Sequence, residues 1–351
     1  MKAITYTTYG PPEVLRVAEV DRPVPRDDEV LIRVRAAEAT KSDVEMRRFR
    51  FAVSWFWLPL RLAFGVFKPR RHILGGYFSG EIAAIGKGVT GFRVGEPVFG
   101  GAGLRFGAYG EYLALPAGYP IAAKPANMDF AQAAAVPLGG FNALHFMRLA
   151  RIRSGDTVLV HGAGGSIGTH AIQIAKSMGA QVTAVDSGIK EQMLRRIGAD
   201  QFIDYTRQRF TELGRRYDVI LDMVAGSDYG ACIRTLTSGG RYLSCNPRLS
   251  VMFRAMLTTR FTGRTASFAF APETKAALHE LREMVEDGRI RSIVDKVYPM
   301  AQAADAHRRV EAEQRLGAVV LAIGDGDQGL PTHGGADCES ATTGSGDQAA
   351  T

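Results

Sequence analysis

Residues 157–186 decide the fold: Thr157-Val158-Leu159-Val160-His161, then Gly162-Ala163-Gly164-Gly165-Ser166-Ile167-Gly168, then an apolar run to Met178-Gly179-Ala180, then Gln181-Val182-Thr183-Ala184-Val185-Asp186. The order is a buried strand, a glycine turn, a helix and a second strand ending in a carboxylate. Such a unit suits a dinucleotide. Glycines let the backbone approach a pyrophosphate, and the helix N-terminus presents free N–H groups and a positive dipole to it. The spacing is G-x-G-G-x-x-G, so Gly162, Gly164, Gly165 and Gly168 should line the turn, with Ser166 and Ile167 supplying amides. Asp186, 18 residues past Gly168, stands where a carboxylate holds ribose hydroxyls. A bound nicotinamide cofactor is the expectation.

Working outward, strand and helix signals alternate on the C-terminal side. Gln201–Asp204, Tyr217–Asp222 and Arg241–Cys245 read as further strands, and Gly179, Gly198 and Gly239-Gly240 fall where helices should stop. The pattern predicts an α/β, doubly wound parallel sheet. The first ~125 residues read instead as short strands with turns, including Val30–Ala36, Gly80–Gly86 and Gly107–Leu113. They predict an irregular β-barrel. Helical runs are expected at Phe130–Val136, Phe141–Ala150 and Glu273–Asp287, and strands at Ile293–Tyr298 and Ala318–Ile323. The last two should return to the first unit. The boundaries expected are 1–126 for the barrel domain, 127–267 for the nucleotide domain and 268–323 for the return. Residues 324–351, rich in Gly, Ser, Thr and Asp, form an acidic tail too poor in apolar residues to fold.

The chain has 351 residues, 46% hydrophobic and 23% charged, as soluble two-domain enzymes do. Its start already alternates like a strand and shows no signal peptide. Cys232, Cys245 and Cys338 lack paired spacing, which excludes a disulfide framework and a cysteine zinc knuckle and fits a cytoplasmic location. Net charge is +7; the tail carries five acids and no Lys or Arg, leaving +12 on the rest. The arginines are dispersed and no nucleic-acid motif is present, so nucleic acid is not an expected partner.

Taken in order, several stretches resemble the medium-chain dehydrogenase/reductases: Lys2–Pro12, Gly75–Gly86, Gly107–Tyr112, Val136–Gly140, Leu159–Gly168, Gly198-Ala199-Asp200 with Ile203-Asp204-Tyr205, and Gly239-Gly240-Arg241. The resemblance covers roughly residues 1–323 and is greatest to the zinc-independent quinone oxidoreductase-like and enoyl-reductase-like branch. It implies a Rossmann sheet beside a GroES-like barrel, a small apolar acceptor as substrate, and a homodimer. It places Thr40 and Gly76 where zinc-dependent relatives carry a Cys and a His, and the third ligand position in Ala133–Pro137, which has no donor residue. No metal is therefore expected. Without a Lewis acid, reduction of a polarised quinone or α,β-unsaturated carbonyl is favoured over alcohol oxidation. The alternatives are an alcohol dehydrogenase using this fold without zinc and a non-catalytic NAD(P)-binding redox sensor.

The resemblance also implies residue roles. Thr40, Lys41 and Asp43 occupy the loop that faces the hydride in relatives, and Tyr77 is a further donor candidate. Asn142 falls beside the nicotinamide ribose or ring, unless it caps a helix. Val224 borders the adenine, and Cys245 and Asn246 approach the nicotinamide ribose. Phe268 and Phe270 flank backbone that holds the carboxamide, unless this is core strand. Asp186 argues for NADH, whereas Lys190 sits where NADPH-using relatives place a phosphate-binding cation; the choice stays open, as does Asp186 acting as a helix N-cap. Relatives often follow the last glycine with lysine, but here Gly317 precedes Ala318.

Residues 51–67, FAVSWFWLPLRLAFGVF, hold both tryptophans between arginine clusters. Pro59 and Arg61 interrupt the run, which is too short for a confident membrane span. A buried helix or dimer contact, a lid over an apolar substrate, and a peripheral membrane patch are the three readings.

Overall fold

The computed structural model describes residues 1–324 apart from 54, 56 and 247. The tail expected to be disordered lies, beyond Gly324, outside the described residues. No helix among those described is long and apolar enough to cross a membrane.

The chain opens with β1 (Lys2–Thr5), β2 (Arg16–Glu19), β3 (Glu29–Ala39), α1 (Lys41–Arg48), α2 (Trp57–Phe64), β4 (Tyr77–Ile85), β5 (Pro97–Gly101), β6 (Tyr112–Pro116) and β7 (Ile121–Ala123). Helices α3 (Phe130–Ala134) and α4 (Pro137–Leu149) lead into β8 (Thr157–His161), α5 (Ser166–Ser177), β9 (Gln181–Asp186), α6 (Glu191–Arg196), β10 (Gln201–Asp204) and β11 (Tyr217–Asp222). Then come α7 (Tyr229–Arg234), β12 (Leu236–Ser244), α8 (Leu249–Phe261), β13 (Thr265–Phe268), α9 (Lys275–Glu286), β14 (Val294–Pro299), α10 (Ala303–Glu311) and β15 (Ala318–Ala322).

The nucleotide-type half is a parallel sheet of order β10-β9-β8-β11-β12-β13. Counted from β8, this is the 3-2-1-4-5-6 arrangement of doubly wound folds, with its switch point between β8 and β11. The middles of the central strands, Val158–Val160 and Val219–Leu221, are apolar and buried, because helices cover both faces. Phe141, Leu144, Ala171, Ile172, Leu278 and Leu281 fill one side and Phe210, Tyr229, Tyr242 and Ala255 the other. Helix α9 buries Leu278, Leu281, Met284 and Val285 in this core, and the chain rejoins the other sheet at β14.

That second sheet has the order β14-β15-β3-β4-β5-β7, with β6 also paired to β3. The 11-residue β3 is its centre: β15 lies antiparallel on one side, aligning Val320 with Glu38, and β4 on the other. Strand Gly107–Leu113 of the sequence reading is corrected: β6 starts at Tyr112, because Gly107 takes a positive φ of 107° and turns the chain. The two halves are stitched at the glycine turn, where Gly317 N–H donates to the Gly164 carbonyl at 2.8 Å just before β15.

Candidate active site

The glycine turn joins β8 to α5 at the switch point. Gly162 has φ of +84°, a conformation that favours glycine. A Cβ on Gly168 would fall within 2.5 Å of the Ala163 carbonyl carbon, so this glycine sets the close approach of helix to strand. Gly165 is different: its backbone is extended, and a Cβ there would meet nothing nearer than an Arg315 guanidinium nitrogen at 3.6 Å. That open space lies at the N-cap of a 12-residue helix. Ser166 begins the helix, and its buried hydroxyl faces the Glu38 carboxyl without completing a hydrogen bond to it. Residues 162–168 thus leave a cradle with unused donors, which fits a pyrophosphate.

Asp186 closes the turn from β9. One carboxylate oxygen accepts from Gly164 N–H at 2.7 Å; the other accepts from Ser187 N–H at 2.8 Å and pairs with Lys190 Nζ at 2.9 Å. Both side chains are buried, and the Lys190 stem lies over Gly164. The helix-cap reading of Asp186 is corrected: the turn at Gly188–Lys190 has no side-chain cap, because the carboxylate is spent on the glycine loop.

At the switch point, Asp222 gathers Tyr242 Oη (2.7 Å), Ser227 Oγ (2.8 Å), Val224 N–H (3.0 Å) and His161 Nδ1 (3.1 Å). Ser227, His161 and Asp222 do not form a nucleophile relay, since Ser227 and Asp222 address the same ring nitrogen and Ser227 donates to Asp222. Its effect is to fix the loop carrying Val224, whose methyl would lie 3.4 Å from a Cβ on Gly162. Asn246 Nδ2 donates to Met223 O at 3.0 Å, tying the end of β12 to the same loop. Burial pushes the Cys245 thiol up to about 12, which keeps it from acting as a thiolate. Asn142 lies inside α4 with its amide donating to Leu138 O at 2.9 Å, so the cap alternative is corrected for it. Phe268 ends β13, and Phe270 beyond it is exposed.

The candidate proton donors divide. Thr40 and Asp43 form a capping box at the start of α1: Thr40 Oγ1 donates to Asp43 Oδ2 at 2.6 Å and accepts from Asp43 N–H at 3.0 Å. Asp43 also accepts from Gly75 N–H at 2.9 Å, and burial raises its carboxyl pKa. Lys41 pairs with Glu313 at 2.9 Å on the exposed side. Tyr77 donates to Glu273 Oε1 at 2.6 Å. Burial, then the Glu273 charge, raises the Tyr77 phenol well above its ordinary range, and burial raises Glu273 as well.

Sequence reasoning missed Glu273, Asp222, Arg315 and Glu38. Glu38 is 2% exposed on β3, and its Oε2 completes no hydrogen bond. The Ser166 hydroxyl and Arg315 favour its charged form, but burial outweighs both and pushes the carboxyl up to about 8. A carboxylate among the buried Ala36, Ala37 and Ala39 was the available signal for it; Arg315 and Glu273 had none. At the positions the resemblance assigns to zinc ligands, the Thr40 hydroxyl is committed to Asp43 and Gly76 has no side chain; among the described residues no group of three or more His, Cys, Asp or Glu is placed to hold a metal.

Residues 26–126 match the alcohol dehydrogenase GroES-like domain family, 197–321 the zinc-binding dehydrogenase family and 131–226 the alanine dehydrogenase/PNT C-terminal domain family. A quinone oxidoreductase of Pseudomonas aeruginosa is 31% identical over 91% of this chain and 99% of its own. A 2-methylene-furan-3-one reductase of Solanum lycopersicum is 28% identical over 92% and 79%. The structure of the quinone oxidoreductase from Coxiella burnetii superposes with a TM-score of 0.81 at 27% identity, covering 92% of this chain and 99% of that one.

Proposed function

This chain belongs to the medium-chain dehydrogenase/reductase superfamily, and from that premise we propose that it is a zinc-independent NAD(P)H-dependent reductase of quinones or α,β-unsaturated carbonyls. The observation that carries the reading is an intact glycine cradle beside ligand positions that hold no metal donors. The cofactor, when bound, supplies the hydride. Gly162, Gly164, Gly165 and Gly168 let the backbone approach its pyrophosphate, and the Ser166 and Ile167 amides with the Ser166 hydroxyl donate to it. Val224 borders the adenine. Asn142, Cys245 and Asn246 flank the nicotinamide ribose, and the backbone at Phe268–Phe270 holds the carboxamide.

Proton delivery to the reduced acceptor falls to Tyr77. Thr40 and Asp43 are locked together by the capping box and by Gly75 N–H, and the Lys41 ammonium pairs with Glu313, whereas Tyr77 would deliver its proton by exchanging its hydrogen bond to Glu273 for one to the acceptor. Thr40 and Asp43 position the β3–α1 corner. The protein acts in the cytoplasm as a homodimer, paired along the edge strand β13.

Asp186 and Lys190 together set cofactor choice. The carboxylate suits the ribose hydroxyls of NADH, and the paired ammonium softens its repulsion of a 2′-phosphate, so NADH is preferred and NADPH accepted. Asp186→Ser should shift the kcat/KM ratio about tenfold toward NADPH, roughly the effect of one unpaired charge near a phosphate. Lys190→Ala should shift it the other way. Ratios unchanged in both variants would remove these residues from cofactor selection. The function itself is tested by following NADH and NADPH oxidation with quinones, enones and aldehydes, with and without a chelator. Chelator-resistant turnover of quinones or enones is expected; cofactor binding with no turnover would favour the redox-sensor alternative.

A further inference from the structure

Helix α2 turns an apolar face outward. Trp57, Leu58 and Leu62 are 49%, 59% and 59% exposed, and Val66 and Phe67 just beyond are 42% and 92% exposed. Leu58 and Leu62 stand one turn apart, with exposed Pro59 and Ala63 beside them, so the stripe is continuous. The opposite face is anchored: Phe64 is buried edge-on to Phe106 at 5.8 Å, Leu60 packs on the barrel core, and Tyr9 Oη donates to the Phe64 and Gly65 carbonyls. A contiguous exposed apolar surface on a firmly held helix marks a contact surface. The one charge on the helix does not relieve it. The Arg61 guanidinium lies over the rings of Phe49 and Tyr9 at 4.4 and 4.6 Å.

The rim supplies the chemistry of the partner. Residues 46–80 contain seven Lys or Arg and no Asp or Glu. Arg47 is buried against Glu311, but Arg48, Arg50, Lys68, Arg70 and Arg71 are exposed. Arg70, Arg71 and His72 also line a cavity of about 530 Å³ with Arg26 and Arg105, and Asp21 is the one acid in its wall. A second copy pairing isologously through this face would set these cations against themselves. A bilayer bearing anionic headgroups complements both parts: the apolar stripe enters the acyl boundary while the cations meet lipid phosphates.

We propose that α2 and the Val66–His72 segment dock this protein peripherally on an anionic lipid bilayer, with headgroup phosphates in the Arg70–Arg71–His72 groove. The inference stands apart from the reductase reading and does not depend on it. If both hold, the enzyme works at the surface of the phase in which apolar quinones dissolve.

Of the chain's two tryptophans, Trp57 opens α2 and Trp55 lies two residues before it, so tryptophan fluorescence reports on this region. The full chain would be titrated with phosphatidylglycerol vesicles and with phosphatidylcholine vesicles, and followed by flotation. A blue shift, quenching by brominated lipid and co-flotation are expected with phosphatidylglycerol. Binding should fall at least tenfold on phosphatidylcholine and in about 0.5 M salt. The double variant L62E/F67E, at exposed positions, should stay folded and lose binding; R70E/R71E should lose the anionic preference. Absence of a shift and of co-flotation on phosphatidylglycerol overturns the proposal. So does a concentration-dependent dimer that L62E/F67E dissociates, since that assigns the face to a second copy.

Discussion

Gly165→Val should leave the protein folded and remove its affinity for the nicotinamide cofactor. The backbone at Gly165 is extended, with φ of −91° and ψ of 179°, which a β-branched residue adopts without strain. Its Cβ would enter space bounded on one side by Arg315 and otherwise open. In the proposed binding mode the pyrophosphate reaches the amides of α5 through that space, and two added methyl groups would hold it away. Loss of those contacts should weaken the dissociation constant at least 100-fold, about 3 kcal/mol. Titration of cofactor fluorescence measures it, and circular dichroism checks the fold. Gly168→Val gives the contrast: its Cβ would meet backbone atoms of Ala163, so this variant should fail to fold stably. A well-folded Gly165→Val protein with undiminished affinity would displace the pyrophosphate from this loop.

The second large effect concerns Glu38 and pH. A buried carboxyl whose pKa rises from 4.5 to about 8 on folding favours the native state while it is protonated in both states. That contribution is complete below about pH 4.5 and is lost as pH climbs toward 8, because the unfolded chain releases the proton first. Fully expressed, the shift corresponds to roughly 4 to 5 kcal/mol. Urea midpoints should therefore fall between pH 5 and 8.5 in the wild type and change far less in Glu38→Gln, which keeps a neutral side chain of the same shape. The charges that act on Glu38 come from neighbouring elements: Arg315 before β15 opposes the shift, and Asp43 on α1 adds to it. An ionised Glu38 beside Ser166 would also repel a bound pyrophosphate. Cofactor affinity should weaken above pH 8 in the wild type and stay flat in the variant. Parallel pH profiles for the two proteins would show that Glu38 is not the group responsible.

The nucleotide half was legible because its signals are local. Gln201–Asp204 and Tyr217–Asp222 are strands with the boundaries read from the sequence, each an apolar run between breakers. The glycine turn announces itself within seven residues. The barrel was harder, since its strands are short and interrupted by glycine, as at Gly107. Contacts between the halves left almost no trace: Tyr77 and Glu273 are 196 residues apart, and Glu38 meets Ser166 through a fold that neither segment specifies. One local clue went unused. Thr40 and Asp43 have the spacing of a capping box, which already assigns their side chains to each other rather than to a substrate. Lys190 shows the reverse case: its position in sequence was informative, but its pairing with Asp186 across Gly164 required the three-dimensional arrangement.

In the proposed reaction this cleft passes a hydride to an electron-poor acceptor without metal. The most direct measurement incubates chelator-treated enzyme with an enone and NADH or NADPH deuterated at C4 of the nicotinamide, using each C4 epimer, and reads the product by mass spectrometry. One deuterium on the former β-carbon is expected from one epimer, with the proton at the α-carbon drawn from solvent. Unlabelled product from both epimers, or turnover restored only by stoichiometric zinc, would contradict it.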